Sequence, residues 1–201
     1  MNELEVLQAL RLKGRVSEVD LASTVGADTH EITAAVEQFA QDGLVAPGKL
    51  LKITPEGRER LAELLAAERS AVDASSLSAA YAEFRAVNGD FKLLISEWQL
   101  RDGQPNDHTD AAYDAAVLGR LDAVHGKVVP IIAAVATQLP RLNSYGDKLV
   151  AALTRVKAGE LPWLTRPIMD SYHTVWFELH EELIGAAGLT REQEASAGHA
   201  D

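Results

Sequence analysis

The 201-residue sequence contains no cysteine, so disulfide bonds, thiolate nucleophiles and cysteine-ligated metal clusters are excluded. It also lacks a long apolar run. The longest, residues 128–136, is interrupted by Pro130 and is far shorter than the roughly 20 residues that a membrane-spanning helix needs. The first residues lack the basic and apolar regions of a secretory signal. We therefore expect a cytoplasmic chain with no membrane partner.

Motifs of common catalytic sites are missing as well. The sequence has no glycine-rich phosphate-binding loop, no Gly-x-Ser-x-Gly elbow and no dinucleotide-binding fingerprint. We expect no enzymatic activity, no cofactor and no bound metal.

Positive charge is scarce. The formal net charge is −11, and the first 70 residues carry eight lysines and arginines against twelve aspartates and glutamates. Residues 28–42 contain no lysine or arginine at all. Because phosphate contacts supply most non-specific affinity for nucleic acids, any DNA binding must depend on local groups rather than on the field of the whole protein.

Helical patterns and turn signals alternate over the first 70 residues. Leucines recur at helical spacing up to Gly14, and Ser17 is placed as the N-cap of a second, short helix. Gly26 begins a tight turn, Asp28 caps a third helix, and Gly43 ends that helix. Two helices are thus predicted to meet across a tight turn.

A β-hairpin is predicted next. Residues 44–46 and 50–53 flank the turn at residues 47–49, and Thr54 caps a last helix that has Pro55 at its first position. The predicted order is helix, short strand, helix, helix, hairpin, helix. This order is typical of a winged helix-turn-helix with a small hairpin as its wing.

Three motifs make this part of the chain similar to winged-helix transcriptional regulators of the MarR-like type: Leu21-Ala22, Asp42-Gly43-Leu44-Val45 and Ile53-Thr54-Pro55-Glu56-Gly57. The resemblance covers about a third of the chain. It implies a winged helix-turn-helix DNA-binding domain over residues 1–72.

The third helix is the one expected to enter the major groove. Glu37 could accept a hydrogen bond from a cytosine amine, and Thr33 could contact a thymine methyl group. Cationic side chains and the helix N-terminus would contact phosphates. The predicted DNA-binding residues are Arg15, Thr29, His30, Thr33, Glu37, Lys49, Lys52 and Arg58. The alternative is a winged helix that uses the same surface for protein contacts.

The remainder of the chain, residues 73–201, is predicted to be an α-helical bundle that dimerises and senses an effector. Every tryptophan and tyrosine lies in it. A junction is expected near residues 73–76. After it, heptad spacing defines a seam formed by Leu77, Tyr81, Phe84, Asn88, Phe91, Ile95 and Trp98. Asn88 either fixes the register of a coiled coil or bonds to a neighbouring helix within the bundle.

Further helices are expected along this half. One begins after a loop at residues 102–110, runs past residue 128 and is kinked at Pro130. Another covers residues 142–158. Pro167 is expected to open the last long helix, residues 168–187, and a polar tail is expected to follow it.

The loop before residue 111 has two interpretations. Asn106, Asp107, His108, Asp110 and Asp114 offer oxygen and imidazole ligands, but they do not follow the spacing of a calcium loop. Capping and solvation are the favoured roles.

Aromatic and polar residues of the second half predict a small-molecule pocket. Arg101 and Arg166 could anchor a carboxylate or phosphate. The alternative is that the aromatic residues form only the core of the bundle. The predicted ligand-binding residues are Trp98, Arg101, Tyr113, Trp163, Arg166, Tyr172, His173, Trp176 and His180.

The sequence thus predicts a mainly α protein: a winged helix-turn-helix followed by a helical bundle. We expect a homodimeric regulator that binds double-stranded DNA and responds to a small organic effector. The effector would favour one spacing of two recognition helices, which must lie about 34 Å apart to reach successive major grooves. Residues 98–114 and 171–181 also resemble a poorly characterised bacterial helical region found behind such winged helices. That resemblance implies the alternative, a protein-interaction module that regulates a partner enzyme.

Overall fold

The structure, a computed structural model, describes residues 2–196. The chain divides into two compact units, Met1–Val72 and Asp73–Asp201. The described residues are mainly helical, with two short antiparallel strand pairs, which confirms the predicted mainly α class with a small hairpin.

Among its described residues, the first unit has four helices and one strand pair. Its elements are α1 (Glu3–Lys13), α2 (Glu18–Val25), α3 (Thr29–Gln41), β1 (Val45–Ala46), β2 (Lys52–Ile53) and α4 (Pro55–Ser70). The predicted order of the four helices and the hairpin is therefore present.

Side-chain caps explain where these helices begin. Ser17 accepts a hydrogen bond from the amide of Asp20, and Asp28 accepts one from the amide of His30. Each cap satisfies a backbone donor that has no partner within the helix. Gly26, between α2 and α3, has the left-handed conformation (φ 70°) that a glycine adopts without steric cost. These two caps and the left-handed glycine together produce the tight connection of the helix-turn-helix.

The wing has three backbone segments rather than two. In the hairpin, Val45 pairs with Ile53 and Ala46 pairs with Lys52. Val16, from the segment between α1 and α2, forms an antiparallel bridge with Leu51, and the two residues exchange both backbone hydrogen bonds at 3.3 and 2.8 Å. The predicted short strand near Val16 is thus a single bridge on the edge of the hairpin.

Apolar side chains from every element meet in the core of the first unit. α3 contributes Ile32 and Val36, both buried, while Phe39 packs against this core from a half-buried position. Gly57 in α4 lies so close to the hairpin that an added Cβ would be 2.1 Å from the carbonyl oxygen of Leu44. The junction of α4 and the wing therefore requires a glycine.

The second unit has seven helices among its described residues, together with one 3₁₀ turn (Pro140–Leu142) and a second strand pair. Its elements are α5 (Ala74–Gln99), β3 (Leu100–Arg101), β4 (Gln104–Pro105), α6 (Ala111–Gly119), α7 (Leu121–Ala136), α8 (Asn143–Lys157), α9 (Pro162–Thr165), α10 (Tyr172–Ala186) and α11 (Arg191–Ser196).

Helix α5 carries the predicted seam, and all seven seam residues are buried. α10 runs antiparallel to α5, because Phe84 contacts His180 whereas Phe91 contacts Tyr172. Asn88 accepts a hydrogen bond from Trp176 Nε1 at 2.8 Å. This contact confirms the interpretation in which Asn88 bonds to a neighbouring helix of the bundle.

The segment after residue 110 differs from the prediction. α6 and α7 are separate helices, and the break falls at Arg120, ten residues before Pro130. Pro130 lies inside α7 on an exposed position. The prediction of a single helix kinked at Pro130 is thus wrong. Gly119, a poor helix former, directly precedes the actual break.

Four other features also differ from the prediction. The last long helix begins at Tyr172, capped by Ser171, because Ile168 has a φ of 68° that is incompatible with a helix. Asp73 caps α5 directly, so residues 74–76 belong to that helix and not to a junction. The loop after α5 contains the β3–β4 pair, and the tail contains α11, where Glu194 is buried. The rest of the predicted tail, residues 197–201, lies outside the described residues.

Among the described helices, none is both long and apolar enough to cross a membrane.

Candidate nucleic-acid interface and ligand groove

Helix α3 presents a polar face to solvent. His30, Ala34 and Glu37 are exposed on it. Thr33 is half-buried, and its hydroxyl donates to Glu18 Oε2 at 2.7 Å and to the carbonyl of Thr29 at 3.0 Å. Because the hydroxyl proton is already used within the unit, Thr33 could offer a base only its methyl group or a lone pair.

The cationic residues of the first unit lie on the wing and on α4. Arg15 and Lys52 directly adjoin the bridged residues Val16 and Leu51, and both are exposed. Lys49 is exposed at the turn, and Arg58 is exposed near the start of α4. The Val16–Leu51 bridge thus joins two chain segments that each carry an exposed cation.

Carboxylates dominate the exposed charge of α3. Glu31 and Glu37 are exposed, as is Asp42 at the C-terminal end, where it accepts hydrogen bonds from Gln38. These groups would repel the phosphates of a nucleic acid. If α3 binds DNA, its carboxylates must therefore face base edges, and the cations of the wing must face the phosphate backbone of the DNA.

The nine predicted ligand-binding residues do not surround one pocket. Trp98 packs on His108 with ring centroids 4.3 Å apart. Arg101 lies over the ring of Tyr113 and pairs with Asp110. Trp163 is covered by Arg155, not by Arg166.

Of the remaining five residues, four lie on α10, and Arg166 precedes that helix. Tyr172 is fully buried beneath Phe91, while His173, Trp176 and His180 line a groove between α5 and α10. Arg166 is exposed and does not line that groove. Three of the nine predicted residues, His173, Trp176 and His180, therefore line this groove, and the other six do not.

The groove has a volume of about 530 Å³. Its apolar lining consists of Phe91, Leu93, Ile95, Leu100, Trp176 and Phe177. Its polar lining consists of Asn88, Ser96, Gln99, His173 and His180, and its cations are Lys92 and Arg191.

Rigid aromatic packing forms the floor of the groove. The rings of Phe91 and Trp176 stack with centroids 4.3 Å apart, and the indole N–H of Trp176 is held by Asn88. Leu93, Leu100 and Phe177 remain about half exposed, at 55%, 45% and 41%. The rim thus offers apolar surface that the described residues of the second unit leave exposed.

The two histidines of the groove are held in the neutral form. Burial lowers the pKa of His180 to about 4, and the positive charges of Arg191 and Lys92 contribute in the same direction. Nε2 of His180 lies 3.3 Å from the hydroxyl of Tyr81, which donates to Glu194 at 2.6 Å. Burial also lowers the pKa of His173.

Sequence reasoning missed Lys92, Phe177 and Arg191 as groove residues. Lys92 lies four positions after Asn88 on α5, so helical spacing places it next to the predicted seam. Arg191 comes from α11, where it pairs with Glu181 at 2.5 Å and lies over the ring of Phe177. No periodic pattern indicated that contact, because α11 has only six residues.

The acidic loop forms a hydrogen-bonded cluster. Asn106 Nδ2 donates to Asp114 Oδ1 at 3.0 Å, and His108 Nδ1 lies 3.0 Å from Asp114 Oδ2. Asp107 and Asp110 accept hydrogen bonds from nearby backbone amides. Within residues 2–196 no group of three or more histidines and carboxylates is arranged to hold a metal ion. The contacts agree with the favoured capping role.

A buried ion pair lies elsewhere in the second unit. Arg141 Nη1 is 2.7 Å from Glu182 Oε1, and both side chains are at most 9% exposed. The hydroxyl of Tyr145 donates to the same carboxylate at 3.3 Å. Burial raises the pKa of Tyr145 well above its usual range. This cluster does not line the groove.

No protein-family model, curated protein or solved structure matches the chain.

Proposed function

We propose that the protein is a double-stranded DNA-binding transcriptional regulator of the MarR-like type. It acts in the cytoplasm as a homodimer whose second unit senses a small organic ligand. The observation that carries the proposal is the arrangement of the first unit. Its capped helix α3 has a polar outward face and is accompanied by a hairpin with a cationic edge.

The outward face of α3 supports this proposal because it has little packing role. His30 and Glu37 are exposed, whereas the apolar residues Ile32 and Val36 hold the helix in the core. A helix anchored in this way can insert into the major groove without loss of the fold. Glu37 then selects cytosine by accepting from its amine.

The cationic edge supplies the phosphate contacts. Arg15, next to the bridged Val16, and Lys52, next to the bridged Leu51, are both exposed and available for such contacts. Each phosphate contact contributes about one unit to the slope of log affinity against log salt. With so few cations, a single winged helix binds weakly, and pairing of two copies on a palindromic site restores affinity.

Fluorescence anisotropy tests the proposal with labelled DNA from the region upstream of the protein's own gene. We expect saturable binding at low salt. Lys52→Ala should weaken binding to all sequences and reduce the salt slope by about one, whereas Glu37→Ala should change sequence preference. Lys157→Ala, an exposed lysine of the second unit, is the control. No binding to any upstream fragment at low salt would refute the proposal.

The acidic surface of α3 favours a second candidate function. Glu31, Glu37 and Asp42 are exposed, and residues 28–42 carry no cation. Such a surface suits a basic protein partner, such as an enzyme that the winged helix would regulate. A stoichiometric partner that co-purifies after nuclease treatment, and is lost in Glu31→Lys/Glu37→Lys, would support this candidate over DNA binding.

A further inference from the structure

Helix α5 carries a second row of residues at heptad spacing, on the face opposite its buried seam. Its members are alternately three and four positions apart over nearly four heptads, all of them are exposed, and none is charged. We call this row the outer seam, and it consists of Ser75, Ala79, Ala82, Ala86, Gly89, Leu93, Ser96 and Leu100. An uncharged row of this length is typical of a helix that pairs with another helix.

Two leucines are the main apolar groups of the outer seam. Leu93 is 55% exposed and Leu100, which directly follows the helix, is 45% exposed. Burial of such side chains against a partner is favourable. The remaining members are small, so a second helix could approach α5 closely along the rest of the row. The outer seam is therefore a suitable surface for one long helix.

Charged residues flank the outer seam, with one sign on each side. With Ala86 and Leu93 at heptad position a, the e positions are acidic and the g positions are basic. The acidic flank consists of Glu83, Asp90 and Glu97, and the basic flank consists of Arg85 and Lys92. Each flank repeats every seven residues. The two flanks thus carry opposite charges on either side of one uncharged row.

This arrangement complements a second copy of α5 in the parallel orientation. In a parallel pair, each g residue faces the e residue five positions later on the other helix. Arg85 then faces Asp90 of the second copy, and Lys92 faces Glu97 of the second copy. In an antiparallel pair the acidic flanks would face each other, which is unfavourable. The same surface on both copies can therefore form a two-fold interface.

Contacts within one copy are compatible with this pairing. Asp90 is 2.7 Å from Lys127, and Arg85 is 3.7 Å from Glu194. A carboxylate has two accepting oxygens and a guanidinium has five N–H donors, so both groups can hold a second partner. Since exposed ion pairs contribute little affinity, the charges select the orientation and the leucines supply most of the affinity.

We propose that two copies of the protein associate through the outer seam as a parallel, in-register coiled coil of their α5 helices. The proposal rests on the homodimer of the proposed function and names its surface and orientation. Because most members of the outer seam are small, we expect a dissociation constant in the micromolar range.

Sedimentation velocity on the full-length protein without DNA tests the surface. Across the micromolar range, the protein should change from monomer to dimer. Leu93→Glu places two carboxylates in the middle of the pair and should weaken association at least tenfold, in line with the loss of two buried leucines. Val150→Glu is the matched control, because Val150 is 49% exposed on α8, and it should leave association unchanged. Far-UV circular dichroism verifies that each variant is folded.

Disulfide cross-linking tests the orientation. The sequence has no cysteine, so a single-cysteine variant reports on one position. Ala79→Cys and Ser96→Cys lie about 25 Å apart along α5, at 1.5 Å per residue. In a parallel pair each residue meets its own equivalent, and both variants should form a covalent dimer on mild oxidation. In an antiparallel pair only a mixture of the two variants could cross-link. Val150→Cys is the control and should remain monomeric.

Several results would overturn the proposal. A protein that is monomeric throughout the micromolar range would do so, as would a dimer that Leu93→Glu leaves intact. Cross-linking only in the mixed sample would also refute it. Association through the outer seam in a protein with no affinity for DNA would support the interface and refute the proposed regulator function. DNA binding by a protein that does not associate through the outer seam would do the reverse.

Discussion

Replacement of Gly57 by alanine should destabilise the winged helix, although the same change in most helices is favourable. The added Cβ would be 2.1 Å from the carbonyl oxygen of Leu44 and 2.9 Å from Ile53 Cγ1. Since real Cβ atoms essentially never come closer than 3.0 Å to another heavy atom, the oxygen and helix α4 must separate by about 0.9 Å. Neither the Leu44 carbonyl nor the backbone of α4 is the end of a flexible side chain, so neither can move away at little cost.

The magnitude follows from the contacts at that carbonyl. Leu44 accepts from the Thr54 amide at 3.1 Å and from the Thr54 hydroxyl at 2.9 Å, and this hydroxyl caps α4 by accepting from the Gly57 amide. Loss of these three interactions costs about 3 kcal/mol, at about 1 kcal/mol each. The helix propensity of alanine offsets about 1 kcal/mol. We expect a net loss of about 2 kcal/mol.

The assay is urea unfolding followed by two signals. Far-UV circular dichroism reports on the helices of both units. Tryptophan fluorescence reports on the second unit alone, because every tryptophan lies there. Gly57→Ala should lower the midpoint seen by circular dichroism. The matched control is Gly89→Ala in α5, where an added Cβ meets no atom within 4 Å. That control should gain about 0.5–1 kcal/mol. If Gly57→Ala is as stable as wild type, the steric argument is refuted.

Three further predictions concern the second unit. Asn88→Ala leaves the indole N–H of Trp176 without its acceptor and should cost about 1–3 kcal/mol, with a change in tryptophan emission. Arg141→Met leaves Glu182 buried without its cation and should cost about 3–5 kcal/mol in urea unfolding. Since the folded pKa of His180 is about 4, below the usual 6.5, the unfolded chain binds the extra proton first, and stability should fall as pH decreases from about 6.5 to 4. His180→Gln should reduce that slope.

The Arg141 and His180 predictions each have a comparison that can contradict them. Arg155→Met breaks an ion pair whose partners are about half exposed, so it should cost at most about 1 kcal/mol. Equal costs for the two arginine variants would show that burial of the Arg141 pair has no effect. An unchanged slope in His180→Gln would assign the pH dependence to the other histidines whose pKa is lowered by burial, His125 and His173.

Local chemistry made the first unit predictable. Ser17, Asp28 and Thr54 are caps whose hydrogen bonds involve residues two or three positions away, so the helix starts follow from short stretches of sequence. The α5 seam could also be predicted from the sequence, because heptad spacing depends only on the geometry of one helix.

The parts that could not be predicted depend on contacts between distant residues. The left-handed conformation of Ile168 delays the start of α10, and its sequence neighbours give no sign of it. The groove joins Lys92 to Arg191, 99 positions apart, through a six-residue helix that has no periodic signal. The predicted ligand-binding residues were selected by type, and most of these aromatic side chains instead pack with partners of their own, as Trp163 does with Arg155.

The bridge between Val16 and Leu51 determines what a transplanted wing would carry. A graft of residues 44–53 onto another winged helix would transfer Lys49 and Lys52 but leave Arg15 behind, because the third segment of the wing belongs to the link between α1 and α2. The two chain segments therefore form one exchangeable part. A chimera that is meant to inherit the cationic edge has to include residues 14–17 together with the hairpin.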